Sequence, residues 1–129
     1  MISLEEAQAH LDEAMDALPE AIFRELNGGV ILSADAPMHP QDTDGTLRVM
    51  GRYVYDPAGL GRYVLIYYGS FRILYGHRGS SYWKRRLTEV LHHELTHHLE
   101  SLAGDRSLEI EDERFIRSYY AAREGEETP

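Results

Sequence analysis

One short pattern has residue types and spacing that could bind a metal ion, His93-Glu94-Leu95-Thr96-His97. Histidines four residues apart lie one turn apart on a helix, so both imidazoles can reach the same ion. Glu94 lies beside the pair, about 100° from His93 around the helix axis, where its carboxylate can reach a water without displacing a ligand. The pattern therefore predicts a Zn²⁺ site held by His93 and His97, with Glu94 as general base and then general acid in a hydrolysis.

The residues around this pattern predict a long helix that is capped by Ser80 or Ser81 and runs to about Leu102. Glu94 and His98 fall within its apolar arc, where a carboxylate is costly unless it is paired or catalytic. We therefore interpret His98 as a hydrogen-bonded core or supporting group, and His92, on the opposite side, as a surface residue. The alternative is a solvated, histidine-rich helix face. The apolar arc itself contains Trp83, Leu87, Leu91, Leu95, Leu99 and Leu102.

A catalytic zinc site needs a third protein ligand, and the chain has no cysteine to supply it. The residues Ala103-Gly104-Asp105 predict a turn, and Ser107 is expected to start a final helix that returns alongside the metal-binding helix. Glu100 lies on the histidine strip, but it would crowd the pair rather than complete a tetrahedron. The candidates on the returning helix are Glu111, Asp112 and Glu113, with Glu109 just outside the window.

Two further features could contribute to a hydrolytic site. A group that stabilises developing negative charge could come from His77, Tyr119, Tyr120 or an arginine of residues 51–89. The segment RYVLIYYGSF could be an edge strand that binds an extended peptide by adding it to the sheet, or a plain core strand.

The remaining elements predict an α+β domain over residues 1–129, with a disordered tail at 124–129. An N-terminal helix over residues 3–18, capped by Ser3, precedes a shorter helix, PEAIFRELN. A strand is expected at GVILSA, a loop at DAPMHPQDTDG, and a hairpin between LRVMGRYVYD and RYVLIYYG through the turn DPAGLG. The segment SFRILYGHRG is ambiguous between a strand and a short helix.

The net charge of −9 is unevenly distributed. Residues 1–50 carry ten acids and two arginines, −8; residues 51–89 carry two acids and seven bases, +5; residues 90–129 carry ten acids and four arginines, −6. An acidic chain argues against nucleic acid as a partner. No apolar run is long enough to cross a bilayer, and the acidic N-terminus does not resemble a signal peptide. We expect a cytoplasmic protein whose basic middle either balances the chain's own acids or attracts an acidic peptide.

The residues HHELTHHLESLAG…LEIEDERF, with LPEAIFRELNGGV and GRYVLIYYGSFRILYGH upstream, resemble the small zincin-like metallopeptidases of bacteria. The resemblance covers most of the chain. It implies a minimal zincin-like fold, with a small mixed sheet packed against N-terminal helices, a metal-binding helix and a C-terminal helix. It also implies His93, His97 and Asp112 as zinc ligands and Glu94 as the catalytic residue. Glu100 replaces the family's glycine, and residues 101–109 are additional.

The expected function is therefore hydrolysis of peptide bonds by a zinc metallopeptidase with weak or narrow activity on a peptide or protein substrate. Neither nucleic acid nor a membrane is an expected partner. The alternative is a non-catalytic module of zincin fold that binds proteins and has a structural or empty metal site. Hydrolysis of a non-peptide amide would use the same residues.

Overall fold

The computed structural model describes residues 1–38 and 48–104 of the chain. These residues form a mixed α+β structure in which three helices accompany a three-stranded sheet, as predicted from the sequence. The elements in chain order are α1 (Leu4–Asp16), a 3-10 helix (Glu20–Phe23), β1 (Gly29–Ser33), β2 (Gly51–Asp56), β3 (Gly61–Tyr67), α2 (Tyr68–Tyr75) and α3 (Ser80–Ala103). The predicted final helix and tail lie outside the described residues.

The sheet is mixed, with the strand order β1-β3-β2. β2 and β3 pair antiparallel, which confirms the predicted hairpin, and β1 runs parallel to β3. β3 contains most of the segment RYVLIYYGSF, so the interpretation of that segment as an edge strand is wrong. This strand has a neighbour on both sides, and its Val64 and Ile66 are buried in the core cluster that contains the apolar face of α3. The edge strands of the described sheet are β1 and β2, and β2 contacts α3 through Gly51 and Tyr53.

The N-terminal helices follow the sequence signals only in part. Ser3 forms a capping box with Glu6, which confirms the predicted start of α1. The second predicted helix shortens to the 3-10 turn Glu20–Phe23, and Glu25 adopts the left-handed conformation with φ 60°. That conformation ends a right-handed helix, because α-helical residues need a negative φ.

The core is assembled against α3. All six apolar residues predicted for its inner face are buried, and Trp83 also contacts Phe71 of α2 and Tyr68 through ring packing. α3 begins at Ser80 with Gly79 as its N-cap, and no side chain caps it. The prediction of a serine cap at Ser80 or Ser81 is therefore wrong. The packing of its buried face therefore stabilises α3, rather than a side-chain cap at its first turn.

The ambiguous segment SFRILYGHRG lies largely in α2, whose start packs tightly against the chain after β1. A Cβ added at Gly69 would lie 2.3 Å from the carbonyl oxygen of Ala34 and 2.7 Å from that of Asp35. Backbone cannot yield as a flexible side chain can, so only glycine fits at this position.

Gly69→Ala is expected to lower the free energy of unfolding by about 1–3 kcal/mol, because the overpacking outweighs the better helix propensity of alanine. Urea denaturation would measure the difference. Gly104→Ala is the matched control, since its added Cβ would have neighbours only at 3.6 Å. If both variants unfold at the same urea concentration, the close approach at Gly69 does not constrain the fold.

Candidate metal centre

The two predicted metal ligands lie together on the exposed side of α3. The Nε2 atoms of His93 and His97 are 3.2 Å apart, and the two rings are perpendicular with centroids 4.7 Å apart. Both side chains are exposed, whereas Glu94 between them is buried. One ligand atom from each of His93, Glu94 and His97 lies within 4.8 Å of the others. The structure thus brings together all three residues of the pattern.

The spacing of the two imidazoles fits a shared metal ion. Nitrogen ligands lie about 2.0–2.1 Å from zinc, and a tetrahedral angle between two of them separates the nitrogens by about 3.3 Å. The observed 3.2 Å between the Nε2 atoms agrees with that geometry. The described residues therefore offer two ligands in place for a divalent ion whose identity the pair does not decide. Asp112 and its rivals Glu109, Glu111 and Glu113 lie outside the described residues.

Glu100, the acid that follows the pair one turn along α3, contacts the other nitrogen of His97. Its Oε2 lies 3.6 Å from His97 Nδ1, and both side chains are exposed. The Nε2 atom of His97 points toward His93. The Glu100 carboxylate beside Nδ1 favours the tautomer of His97 that is protonated at Nδ1, which leaves Nε2 free to bind a metal. Glu100 therefore lies at the ring nitrogen of His97 that is turned away from His93.

Glu94 is only 6% exposed, in agreement with its predicted position on the apolar face. Burial raises the pKa of its carboxyl group, and the positive charge of His93 and His97 opposes that effect. Gly51 of β2 covers it so closely that an added Cβ would lie 3.1 Å from Glu94 Oε2. A carboxylate with a raised pKa beside a metal position is suited to accept and return a proton.

His98 is fully buried and hydrogen-bonded at both ring nitrogens, which confirms its predicted supporting role. Nε2 lies 2.8 Å from the carbonyl oxygen of Arg24, and Nδ1 lies 2.9 Å from the Tyr53 hydroxyl. A carbonyl oxygen only accepts, so Nε2 carries the proton, and the neutral ring accepts from Tyr53 at Nδ1. His98 thereby joins α3 to β2 and to the chain that precedes β1.

Burial lowers the pKa of His98 and outweighs the hydrogen bond to Arg24, which acts in the opposite direction. The unfolded chain therefore binds a proton at this histidine before the folded chain does. Stability from this group is present above its ordinary pKa of 6.5 and is lost as the pH falls below it.

We expect the free energy of unfolding to decrease between about pH 7.5 and pH 5, with His98 contributing at most about 2 kcal/mol of that decrease. Urea denaturation at both pH values would measure it in the wild type and in His98→Asn. The variant should be less stable at the higher pH and show a smaller loss on acidification. An equal loss in both proteins would contradict a neutral, buried His98.

An open cleft of about 690 Å³ lies over the metal-binding face. Its walls include Arg52 of β2, one of the candidate arginines, and two residues that the sequence did not identify, Gly51 and Tyr53 of β2. Burial raises the pKa of Tyr53, and a hydrogen bond with the Ser101 side chain opposes that rise. The pairing of GRYVYD with the following strand was predictable, but its position over Glu94 depends on how the sheet packs on α3. The cleft is lined by Gly51, Arg52, Tyr53, His93, Glu94, His97, Glu100 and Ser101.

The other predicted site residues differ in their relation to the cleft. His77 is exposed and is not among the described residues that line the cleft, and Tyr119 and Tyr120 lie outside the described residues. Of the arginines in residues 51–89, Arg52 lines the cleft. His92, expected at the surface, is partly buried. Within the described residues, no helix is long and apolar enough to cross a membrane.

Comparison with known proteins finds an informative relative among the solved structures. No family model matches the chain, and no curated protein matches it. A structure described as a conserved hypothetical protein from Thermo thermophilus is 32% identical, with a TM-score of 0.67. The match covers 79% of this chain and 98% of that one. At this identity over nearly the whole relative, the chain belongs to the same family as that conserved hypothetical protein.

Proposed function

We propose that the protein is a zinc-dependent metallopeptidase of the minimal zincin-like type. One observation carries the proposal: the Nε2 atoms of His93 and His97 are 3.2 Å apart beside a buried Glu94. A solvated histidine-rich face would give no reason to bury the carboxylate between the two histidines, because burial of an acid is costly. A general base next to a metal position does give such a reason.

In the proposed reaction, His93 and His97 hold the ion, and Asp112 is the third ligand that the family resemblance supplies. Zn²⁺, when bound, polarises the substrate carbonyl and acidifies a water. Glu94 accepts a proton from the attacking water at its carboxylate and then donates it to the leaving amine. Its raised pKa makes the carboxyl group a better proton acceptor and is consistent with both steps. Gly51 leaves room for Glu94 on the side of the sheet.

The exposed edge of β2 supports a peptide substrate. The Met50 carbonyl accepts a hydrogen bond from the Tyr67 amide at 3.0 Å, so Met50 and Arg52 direct their main-chain groups toward β3. By the same alternation, Gly51 and Tyr53 direct theirs to the opposite edge, where the described sheet has no further strand. An extended peptide could pair with these groups and cross the cleft beside Glu94.

The cleft is open and both histidines are exposed, so few walls surround a bound substrate. Such a site offers little binding energy from side-chain pockets. We therefore expect slow cleavage of most peptides and a narrow set of good substrates. Contacts that lie away from the metal-binding residues should decide which peptides are cleaved well.

The test is incubation of the zinc-loaded protein with a peptide library, with products identified by mass spectrometry. Cleavage is expected only with metal present, and it should stop when a chelator is added and resume when zinc is restored. Persistent cleavage in the chelator, or none with zinc at any peptide, would contradict the proposal. The Glu94→Gln protein, prepared identically, controls for contaminating proteases.

A further inference from the structure

A group of arginines and tyrosines lies where α2 leads into α3. The rings of Tyr75 and Tyr82 pack edge to face, with centroids 5.1 Å apart. Arg78 and Arg85 lie 3.9 Å and 5.3 Å from the centroid of the Tyr82 ring, and Arg86 lies 5.7 Å from that of Tyr75. We refer to these five residues as the arginine–tyrosine cluster. The tyrosine faces hold three guanidinium groups close together on one surface.

The cluster has an excess of positive charge. Among the residues that the structure describes, the ion pairs place a single carboxylate here: Glu89, which is 3.8 Å from Arg85 and 2.5 Å from Arg86. The three guanidinium groups and this one carboxylate give a local charge of +2, in a chain whose net charge is −9. Like charges held together in this way favour an anionic partner.

Two residues of the cluster, Tyr82 and Arg86, share one face of α3 with the metal pair. At 100° per residue, Tyr82, Arg86 and Glu89 all lie within about 40° of His93 around the helix axis. With a rise of 1.5 Å per residue, Arg86 is about 10 Å and Tyr82 about 16 Å from His93 along the axis. Glu89 on this strip is exposed, as are His93 and His97. A chain lying along this side of α3 would meet both the metal site and the cluster.

β2 runs in the direction that such a chain would need. Gly51 lies against Val90 and Glu94, and Tyr53, two residues further along β2, bonds to His98, four residues further along α3. Two strand residues rise about 7 Å and four helical residues about 6 Å, so the two elements advance together. A peptide paired with the edge of β2 would therefore extend along α3 toward the cluster.

We propose that the arginine–tyrosine cluster binds acidic side chains of the peptide substrate, roughly three to five residues from the bond that is cleaved. This inference rests on the proposed peptidase function and gives its substrate class. Guanidinium groups bind carboxylates through paired N–H donors, and Arg78 and Arg85 are both exposed to receive them. An acidic peptide fits better than a nucleic acid because it needs only a few negative side chains at the cluster, whereas every nucleotide adds a charge that the net −9 of the protein repels.

The binding test uses full-length, zinc-loaded Glu94→Gln protein, which should hold peptides without cleaving them, and a fluorescent hexaglutamate peptide at low ionic strength. Arg85→Gln is expected to weaken binding by about two- to fivefold, the range for an exposed ion pair, and Arg78→Gln similarly. Glu89→Gln should tighten binding because it removes a competing carboxylate. The matched control is Lys84→Gln, which makes the same charge change at the neighbouring exposed residue, about 180° from His93 around the axis of α3.

The outcomes separate this inference from the proposed function. Equal weakening by Arg85→Gln and Lys84→Gln, or no binding of the acidic peptide at low salt, would overturn the cluster as its site. A labelled oligonucleotide of the same charge that bound more tightly than the peptide would also overturn it. These comparisons need no catalysis, so they still decide the inference if the peptidase proposal fails.

A cleavage measurement tests the position of the acidic residue. Wild-type protein would be given paired peptides that carry glutamate or glutamine about four residues from the cleaved bond. The glutamate peptide should have the lower KM and the same kcat, and Arg85→Gln should remove the difference while Lys84→Gln retains it. Cleavage of both peptides with one KM would overturn the inference and leave the peptidase proposal intact.

Discussion

Glu94→Gln is expected to lower zinc-dependent peptide hydrolysis by about 10²- to 10⁴-fold, the usual contribution of a general acid–base group. Glutamine nearly matches glutamate in shape, so it should fit beneath Gly51 without rearranging β2. What it lacks is the ability to take a proton from water and return it to the leaving amine. The measurement is kcat/KM on the best library peptide, with the zinc content of each protein determined in parallel.

The same variant should bind zinc as the wild type does and should be as stable or more stable. Burial raises the pKa of the Glu94 carboxyl group, which means that the folded protein is destabilised by the charge it carries there. Removing that charge removes the penalty while the hydrolysis is lost. If hydrolysis is unchanged in a zinc-loaded Glu94→Gln protein, then Glu94 is not the base.

His97→Ala is expected to weaken zinc binding by more than about 100-fold. Loss of groups that merely orient metal ligands costs about 10- to 100-fold, and loss of a direct ligand should cost more. His93→Ala should weaken zinc binding to a similar extent, because the Nε2 atoms of the two histidines occupy equivalent positions in the pair. Competition with a chromophoric chelator would give the affinities.

His77→Ala is the matched control for both histidine variants, since His77 is exposed and does not line the cleft. It should bind zinc with the affinity of the wild type. Both alanine variants should keep a cooperative unfolding transition, because the exposed imidazoles contribute little to the core. Wild-type zinc affinity in His97→Ala would mean that the pair is a surface feature without a metal-binding role.

The sequence predicted α3 well because helical periodicity directly encodes which face is buried. The six apolar residues of its inner arc, and His98 and Glu94 among them, are buried as the wheel indicates. Periodicity carries no comparable signal for the order of strands in a sheet. β3 reads equally well as an edge or a central strand, and its central place follows from the parallel pairing with β1, a contact between residues more than thirty positions apart.

The residues of the candidate site also divide into those that helical spacing predicts and those that depend on packing between elements. The His93–His97 pair was predictable because both residues lie on one helix, where their spacing fixes their geometry. Gly51 and Tyr53 were not, since they reach α3 from another element across the fold. The Tyr53–His98 bond joins residues 45 positions apart, and a single sequence contains no pattern that pairs them. Asp112 remains a prediction from the family resemblance.

The most direct test of the metal centre is the anomalous diffraction of a zinc-soaked crystal, measured on both sides of the zinc absorption edge. We predict one strong peak per chain, about 2.0–2.1 Å from the Nε2 atoms of His93 and His97, with a carboxylate oxygen, that of Asp112, as a third protein ligand. No peak at this pair in crystals soaked in millimolar zinc, or a peak only elsewhere on the surface, would contradict the proposed metal site and the peptidase function built on it.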